Sequence, residues 1–272
     1  MHIRELWSES DRADLGDLRA ALDVDDLAGA LFAIEGASPE DREAARGSLD
    51  AWADAVGERL MIGADAIDSL RRVLVGDVAL VGDRESYYHP DNSALSRVIA
   101  NRRGLPITLS VVWILVGERS GLPVDGLALP GHFIVRVGAD PVDPFRRGQV
   151  MDEAACRAMV ERIQPNLDWD DHWLEAVDDR AIASRVLRNL ANAHVRGGDP
   201  VATYRAVRML AEVQPDDASA QLSWAHVAQQ VGAEGEAATL FEGICDRFPG
   251  TDVAREAADR MQRMSVSGRW LH

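Results

Sequence analysis

His132 and Asp143 are the residues whose types and spacing could do chemistry. They bracket a stretch in which Phe133, Val135 and Val137 alternate with His132, Ile134 and Arg136, the two-residue period of a strand with one buried face. A turn centred between Gly138 and Ala139 sets Ile134 opposite Asp143 and His132 diagonally on the same face, within side-chain reach. A slip of one residue would send the two to opposite faces. In the predicted register the carboxylate fixes the imidazole's tautomer, as an orienting acid does for a general base in acyl transfer. A plainer alternative stays open. His132 follows the turn Pro130-Gly131 and bonds a backbone group, while Asp143 is a turn residue ahead of Pro144.

Other reactive types read more readily as structural. Asp170-Asp171-His172 carries ligand chemistry but lacks a partner at metal spacing, and His194 and His226 lie within helical segments without a metal signature. No metal and no cofactor are expected. Cys156 and Cys245 are the two cysteines. The first sits on the apolar stripe Met151, Ala155, Met159, Ile163 and the second beside Ile244, neither in the cationic or helix-start setting that lowers a thiol pKa. Thiol chemistry is therefore expected to be irrelevant.

The elements that must position His132 and Asp143 can be read outward from them. Val124 to Leu129, His132 to Val137 and Val142 to Phe145 read as strands. Ahead of them Ile107, Leu109, Val111, Val112, Trp113, Ile114, Leu115 and Val116 form a helix apolar all round, which belongs in a core. Gly104 ends the helix before it, for which Asp91 or Asn92 offers a cap, and Pro106 suits the first turn of the next. Residues 1 to 80 read as a helical lead-in, with Leu27, Leu31 and Ile34 at helical spacing and Ser38-Pro39-Glu40-Asp41 as a helix start. Helix followed by antiparallel sheet is an α+β pattern. From Ser184 onward Leu190 and Trp224, Gly198 and Gly232, Val207 and Phe241, and Pro215 and Pro249 each recur at a spacing of 34 residues, the tetratricopeptide period.

Charge narrows the partners. The 272 residues carry 45 acidic and 29 basic side chains, a formal charge of −16, and every basic residue is Arg. A phosphate backbone or an anionic membrane surface would be repelled, so neither nucleic acid nor membrane is expected as a partner. The run Ile107 to Gly117 is too short to cross a bilayer. The start MHIRELWSESDRADL lacks the apolar stretch of a secretory signal, and the unpaired cysteine spacing suits a reducing cytoplasm.

Four motifs occur in order: Tyr87-Tyr88-His89-Pro90-Asp91-Asn92-Ser93, Arg103-Gly104-Leu105-Pro106-Ile107-Thr108-Leu109-Ser110, Leu129-Pro130-Gly131-His132-Phe133, and Asp143-Pro144-Phe145. Together they resemble the SirB-type transglutaminase-like family. The resemblance implies a papain-like, cysteine-protease-type α+β core within residues 1–180, and tetratricopeptide-type helical hairpins within 181–272. In active relatives of that superfamily a cysteine at the start of the central helix works with a histidine on one strand and an aspartate on the next. The resemblance puts His132 and Asp143 in the latter two roles, and no cysteine stands near Pro106 or Ile107. Thr108 and Ser110 are the hydroxyls closest to the position the resemblance gives the nucleophile. Asn92 matches the Asn-Ser motif and could donate into the site, and Tyr87 and Tyr88 could line a cleft. Two functions follow: a protein- or peptide-binding adaptor without thiol turnover, or an acyl or amide hydrolase or transferase using the His132–Asp143 pair with water, Thr108 or Ser110 as nucleophile.

Overall fold

The structure is a computed structural model that describes residues 6–266. The chain divides into two compact units, Ala20–Val186, and Met1–Arg19 together with Leu187–His272. The sequence places a single cut at residue 180. In the structure the N-terminal segment groups with the C-terminal helices because Trp7 packs edge-on against Tyr204 at 6.4 Å and Asp11 pairs with Arg205 at 3.1 Å.

Helix α1 (Glu9–Asp23) leads into the larger unit. Helix α2 (Leu27–Glu35) starts where Asp26 accepts the Gly29 N–H at 2.9 Å and stops at Gly36, whose φ of 62° reverses the chain. Helix α3 (Pro39–Met61) starts as its sequence dictates, with the Ser38 hydroxyl accepting the Asp41 N–H at 3.1 Å. Helix α4 (Ala66–Leu70) widens into a π-helical segment, Arg71–Asp77, which the sequence does not announce. A short parallel pair follows, β1 (Val81–Gly82) with β2 (Arg103–Gly104), and between them helix α5 (Leu95–Asn101). The expected cap differs. Asp91 and Asn92 lie in a 3-10 turn, Pro90–Ser93, and α5 begins at Leu95 after Ala94, which offers no side-chain cap.

Helix α6 (Pro106–Arg119) is buried from Pro106 through Gly117, as an all-apolar surface requires. It packs on a five-stranded antiparallel sheet, β3 (Val124–Leu127), β4 (Ile134–Val137), β5 (Asp140–Asp143), β6 (Gln149–Val150) and β7 (Ala176–Val177), in the order β6-β5-β4-β3-β7. The third strand therefore starts and ends earlier than its apolar residues suggest, and Pro144–Arg146 form a 3-10 turn. Helix α7 (Glu153–Ile163) places Cys156, Met159 and Val160 in a cluster with Leu127, Leu129 and Ile134.

Glu35 at the end of α2 gives this unit a pH dependence. Ser96 N–H points at its carboxylate at 3.0 and 3.3 Å, yet burial pushes its pKa from 4.5 up to about 7. A raised acid pKa means the folded state holds the proton more tightly. The contribution to stability is full below about pH 4.5 and is lost as pH rises through about 7. Glu35→Gln, which keeps an acceptor for Ser96, is expected to stabilise by about 1 to 2 kcal/mol at pH 8 and by little at pH 4.5. Melting temperatures at the two pH values check this, and an equal effect at both would contradict it.

In the smaller unit, helices α8 (Asp179–Gly197, which enters from the larger unit), α9 (Pro200–Val213), α10 (Ala218–Gln230), α11 (Glu234–Arg247) and α12 (Asp252–Val266) follow one another with short turns. Their bounds keep the sequence period: Pro200 matches Glu234, Val213 matches Arg247 and Ala218 matches Asp252. Asp199 and Asp217 cap α9 and α10 by accepting the Ala202 and Ser219 N–H groups, each at 2.9 Å. Ala191, Ala206 and Val207 pack with Leu190, Trp224 and Val227 between the paired helices. Among the described residues no helix is long and apolar enough to cross a membrane.

Candidate functional site

His132 reaches its position from a tight turn. Its N–H donates to the Leu129 carbonyl at 3.1 Å across Pro130-Gly131, and Gly131 takes a φ of 73°, the left-handed value a Pro-Gly turn needs at its third residue. A Cβ on Gly131 would also come within 2.4 Å of Ile163. Glycine is thus required twice over immediately before the histidine.

Beyond that turn, β4 and β5 pair as Val135 with Val142 and Val137 with Asp140, the register expected for a turn between Gly138 and Ala139. It brings His132 Nε2 to 3.0 Å from Asp143 Oδ2. Asp143 is fully buried and His132 is 9% exposed. A buried carboxylate is costly to desolvate unless several groups meet it. Here Arg146 Nε stands 3.5 Å from Oδ2 and the Arg146 N–H donates to Oδ1 at 3.2 Å. An ionised carboxylate only accepts, so in the neutral ring Nε2 carries the proton and Nδ1 presents its lone pair. Among the described residues no hydrogen-bond partner meets Nδ1.

The two candidate hydroxyls are engaged with backbone groups. Thr108 is fully buried at the start of α6, where its Oγ1 accepts the Leu105 N–H at 2.9 Å and donates to the Asn92 carbonyl at 2.8 Å. Ser110 is equally buried and donates to the Phe133 carbonyl at 3.4 Å. Both close backbone groups of the core, as hydroxyls inside apolar helices do. Asn92 is buried as well. Its amide donates to the Ser86 carbonyl at 2.7 Å and to Asp83 Oδ2 at 3.3 Å, so it fixes the 83–92 loop instead of donating to His132.

Tyr87 and Tyr88 meet edge-on at 5.2 Å, and Tyr87 meets Phe145 at 6.2 Å. Phe145 in turn lies 6.1 Å from the His132 ring and carries the Arg84 guanidinium 5.6 Å over its face. Tyr87 is half-buried, and burial pushes its phenol pKa up. Tyr88 is 52% exposed. Gly82 lets Phe145 in, since a Cβ there would fall 2.5 Å from the ring.

Arg146, Phe145 and Arg84 are the site residues that sequence reasoning missed. The first had a legible signal: in Asp143-Pro144-Phe145-Arg146 an Asp at a turn start bonds the N–H three residues on. The others follow from how the 3-10 turn sits against β1, which no local pattern encodes.

Neither cysteine approaches reactivity. Cys156 is fully buried, and burial, reinforced by Asp152 and Asp143, pushes its thiol up to about 11. Cys245 is half-buried, and its thiol is also raised by burial. In native protein at pH 7.5, Cys156 is expected to resist iodoacetamide until denaturant is added, with Cys245 reacting slowly. Replacing both with Ala should cost about 1 to 2 kcal/mol. Rapid native-state modification of Cys156 would contradict this.

The Asp170-Asp171-His172 run is exposed and internally paired. His172 Nδ1 lies 2.8 Å from Glu175, which raises its pKa, and Asp171 accepts from Trp169 Nε1 at 2.6 Å. Among the described residues no group of three His, Cys, Asp or Glu is placed to hold a metal ion.

The site falls within the stretch that other proteins share. Residues 43–188, more than half of the chain, match the Transglutaminase-like superfamily. A UPF0162 protein of Xylella fastidiosa strain Temecula1 is 37% identical over 142 residues, 46% of this chain and 48% of that protein. A UPF0162 protein of Vibrio cholerae is 22% identical over 204 residues, 73% of this chain and 75% of that one. F-box only protein 21 of Mus musculus is 26% identical over 106 residues, 35% of this chain and 17% of that protein. The chain thus spans about half the length of the Xylella relative, and no solved structure matches it. With His132, just ahead of β4, meeting Asp143 at the end of β5 beside a buried central helix, and a match across all three, the chain belongs to the transglutaminase-like superfamily.

Proposed function

We propose that this protein is a SirB-type, cytoplasmic peptide-binding adaptor whose transglutaminase-like site recognises its ligand without covalent turnover. The observation that carries this reading is that, among the described residues, the assembled His132–Asp143 pair stands without a free Thr108 or Ser110 hydroxyl and without a reactive thiol. Both candidate hydroxyls are buried and bonded to backbone, and the Cys156 thiol is buried and raised. Thiolate attack is what the parent chemistry would need.

The C-terminal helices act in this reading as tetratricopeptide-type repeats that offer a second surface. Their 34-residue period supports this, as does a cavity of about 430 Å³ lined by Arg188, Asn192, Val195, Thr203, Ser223 and His226, among others. Val195 leaves 63% of its surface open there.

One observation favours a second reading. The unpartnered Nδ1 of His132 could take a proton from water as that water attacks an acyl carbon, and return it to the leaving amine. A peptide library displayed on phage and selected on the native protein tests the adaptor reading. Enriched peptides are expected to bind roughly tenfold more weakly to His132→Ala. Equal binding to both proteins would overturn it.

A further inference from the structure

The charges around His132 specify what kind of group the site receives. Asp143 beside His132 and Asp83 next to Arg84 in the chain both have partners. Asp143 is met by His132 and Arg146. Asp83 accepts the Glu85 and Ser86 N–H groups at 3.1 and 2.8 Å and the Asn92 amide at 3.3 Å, and Arg103 acts on it electrostatically. Arg185 lies close enough to Tyr87 to act on its phenol.

Arg84 differs from these. It is exposed and stacked on Phe145, and among the described residues no carboxylate pairs with it. In a chain of net charge −16, carboxylates are abundant and many arginines have found one. A guanidinium that instead lies on an aromatic ring keeps its N–H edge free for a planar acceptor. That ring also meets the His132 imidazole.

We infer that the His132 site takes a carboxylate-bearing ligand, with Arg84 binding the carboxylate, Phe145 and Tyr87 packing its carbon chain, and His132 Nδ1 accepting a hydrogen bond from an adjoining N–H. This inference rests on the proposed binding role and names the ligand class for it. A free acid side chain or chain terminus in a peptide has this chemistry. The overall negative charge of the protein works against such a ligand at long range, so recognition depends on this local guanidinium.

The test uses N-acetyl-glutamate and its neutral isostere N-acetyl-glutamine as probes of the full-length protein, read by NMR at the ring resonances of His132. The glutamate derivative is expected to shift them saturably and to bind about fivefold more tightly than the glutamine derivative, with the gap narrowing at about 0.5 M salt. Arg84→Gln should abolish the preference and Arg84→Lys should retain part of it. The side chain is exposed, so folding of both variants is readily checked by their amide spectra. Equal affinities for the two compounds, a preference that survives Arg84→Gln, or no shift with N-acetyl-glutamate would each overturn the ligand class. Such results leave intact the dependence of phage-selected peptides on His132, whose loss counts against the binding role itself.

Discussion

Replacing Trp7 by alanine is expected to lower stability by about 3 to 5 kcal/mol, the range for deleting a buried large aromatic side chain. Trp7 is 2% exposed. The Arg208 guanidinium lies 4.4 Å over its ring and 5.1 Å over Trp224, so one cation is stacked by two indoles. Arg208 also donates to the Tyr204 hydroxyl at 2.9 Å, and that hydroxyl donates to Glu236 at 2.8 Å. Removing Trp7 therefore opens a cavity and exposes one face of a charge held in a network. Urea denaturation gives the number. A loss below about 1 kcal/mol would show that the N-terminal segment is not part of the C-terminal unit's core.

A comparable loss is expected at Asp143. Asp143→Ala leaves the Arg146 N–H without its acceptor and strips His132 and the Arg146 guanidinium of their shared carboxylate. Breaking a buried pair in this way costs about 3 to 5 kcal/mol. Asp143→Asn keeps the shape and one acceptor and should cost about 1 to 3 kcal/mol. Ligand binding should fall in both, because the ring loses the group that fixes its tautomer. An Asp143→Ala protein as stable as the parent would mean that the carboxylate is not the anchor of this site.

The register that joins His132 to Asp143 was legible because alternation and a Gly138-containing turn leave few choices once one sheet face must be buried. Helix α6 was legible for the same reason: eight large apolar residues in a ten-residue run have nowhere to lie except a core. What remained unread depends on contacts between residues far apart in sequence. Trp7 meeting Arg208 leaves no periodic trace, so the N-terminal segment reads as part of the lead-in. The role of Asn92 depends on a loop that folds back on Asp83 and Ser86, and its side chain can equally cap a helix when only neighbours are considered. Strands of two residues, such as β1 and β2, are too short for any alternation to register. The π-helical segment at Arg71–Asp77 has no compositional signature either.

In the proposed reading the His132–Asp143 site binds without turning over. The measurement that tests it most directly incubates phage-selected peptides with the native protein and hydroxylamine, and follows both by mass spectrometry. Peptides recovered intact, with the protein mass unchanged, are the predicted result. A hydroxamate, a cleaved or deamidated peptide, or an acylated protein that disappears in His132→Ala would contradict the account and establish an acyl-transfer enzyme that works without a thiol.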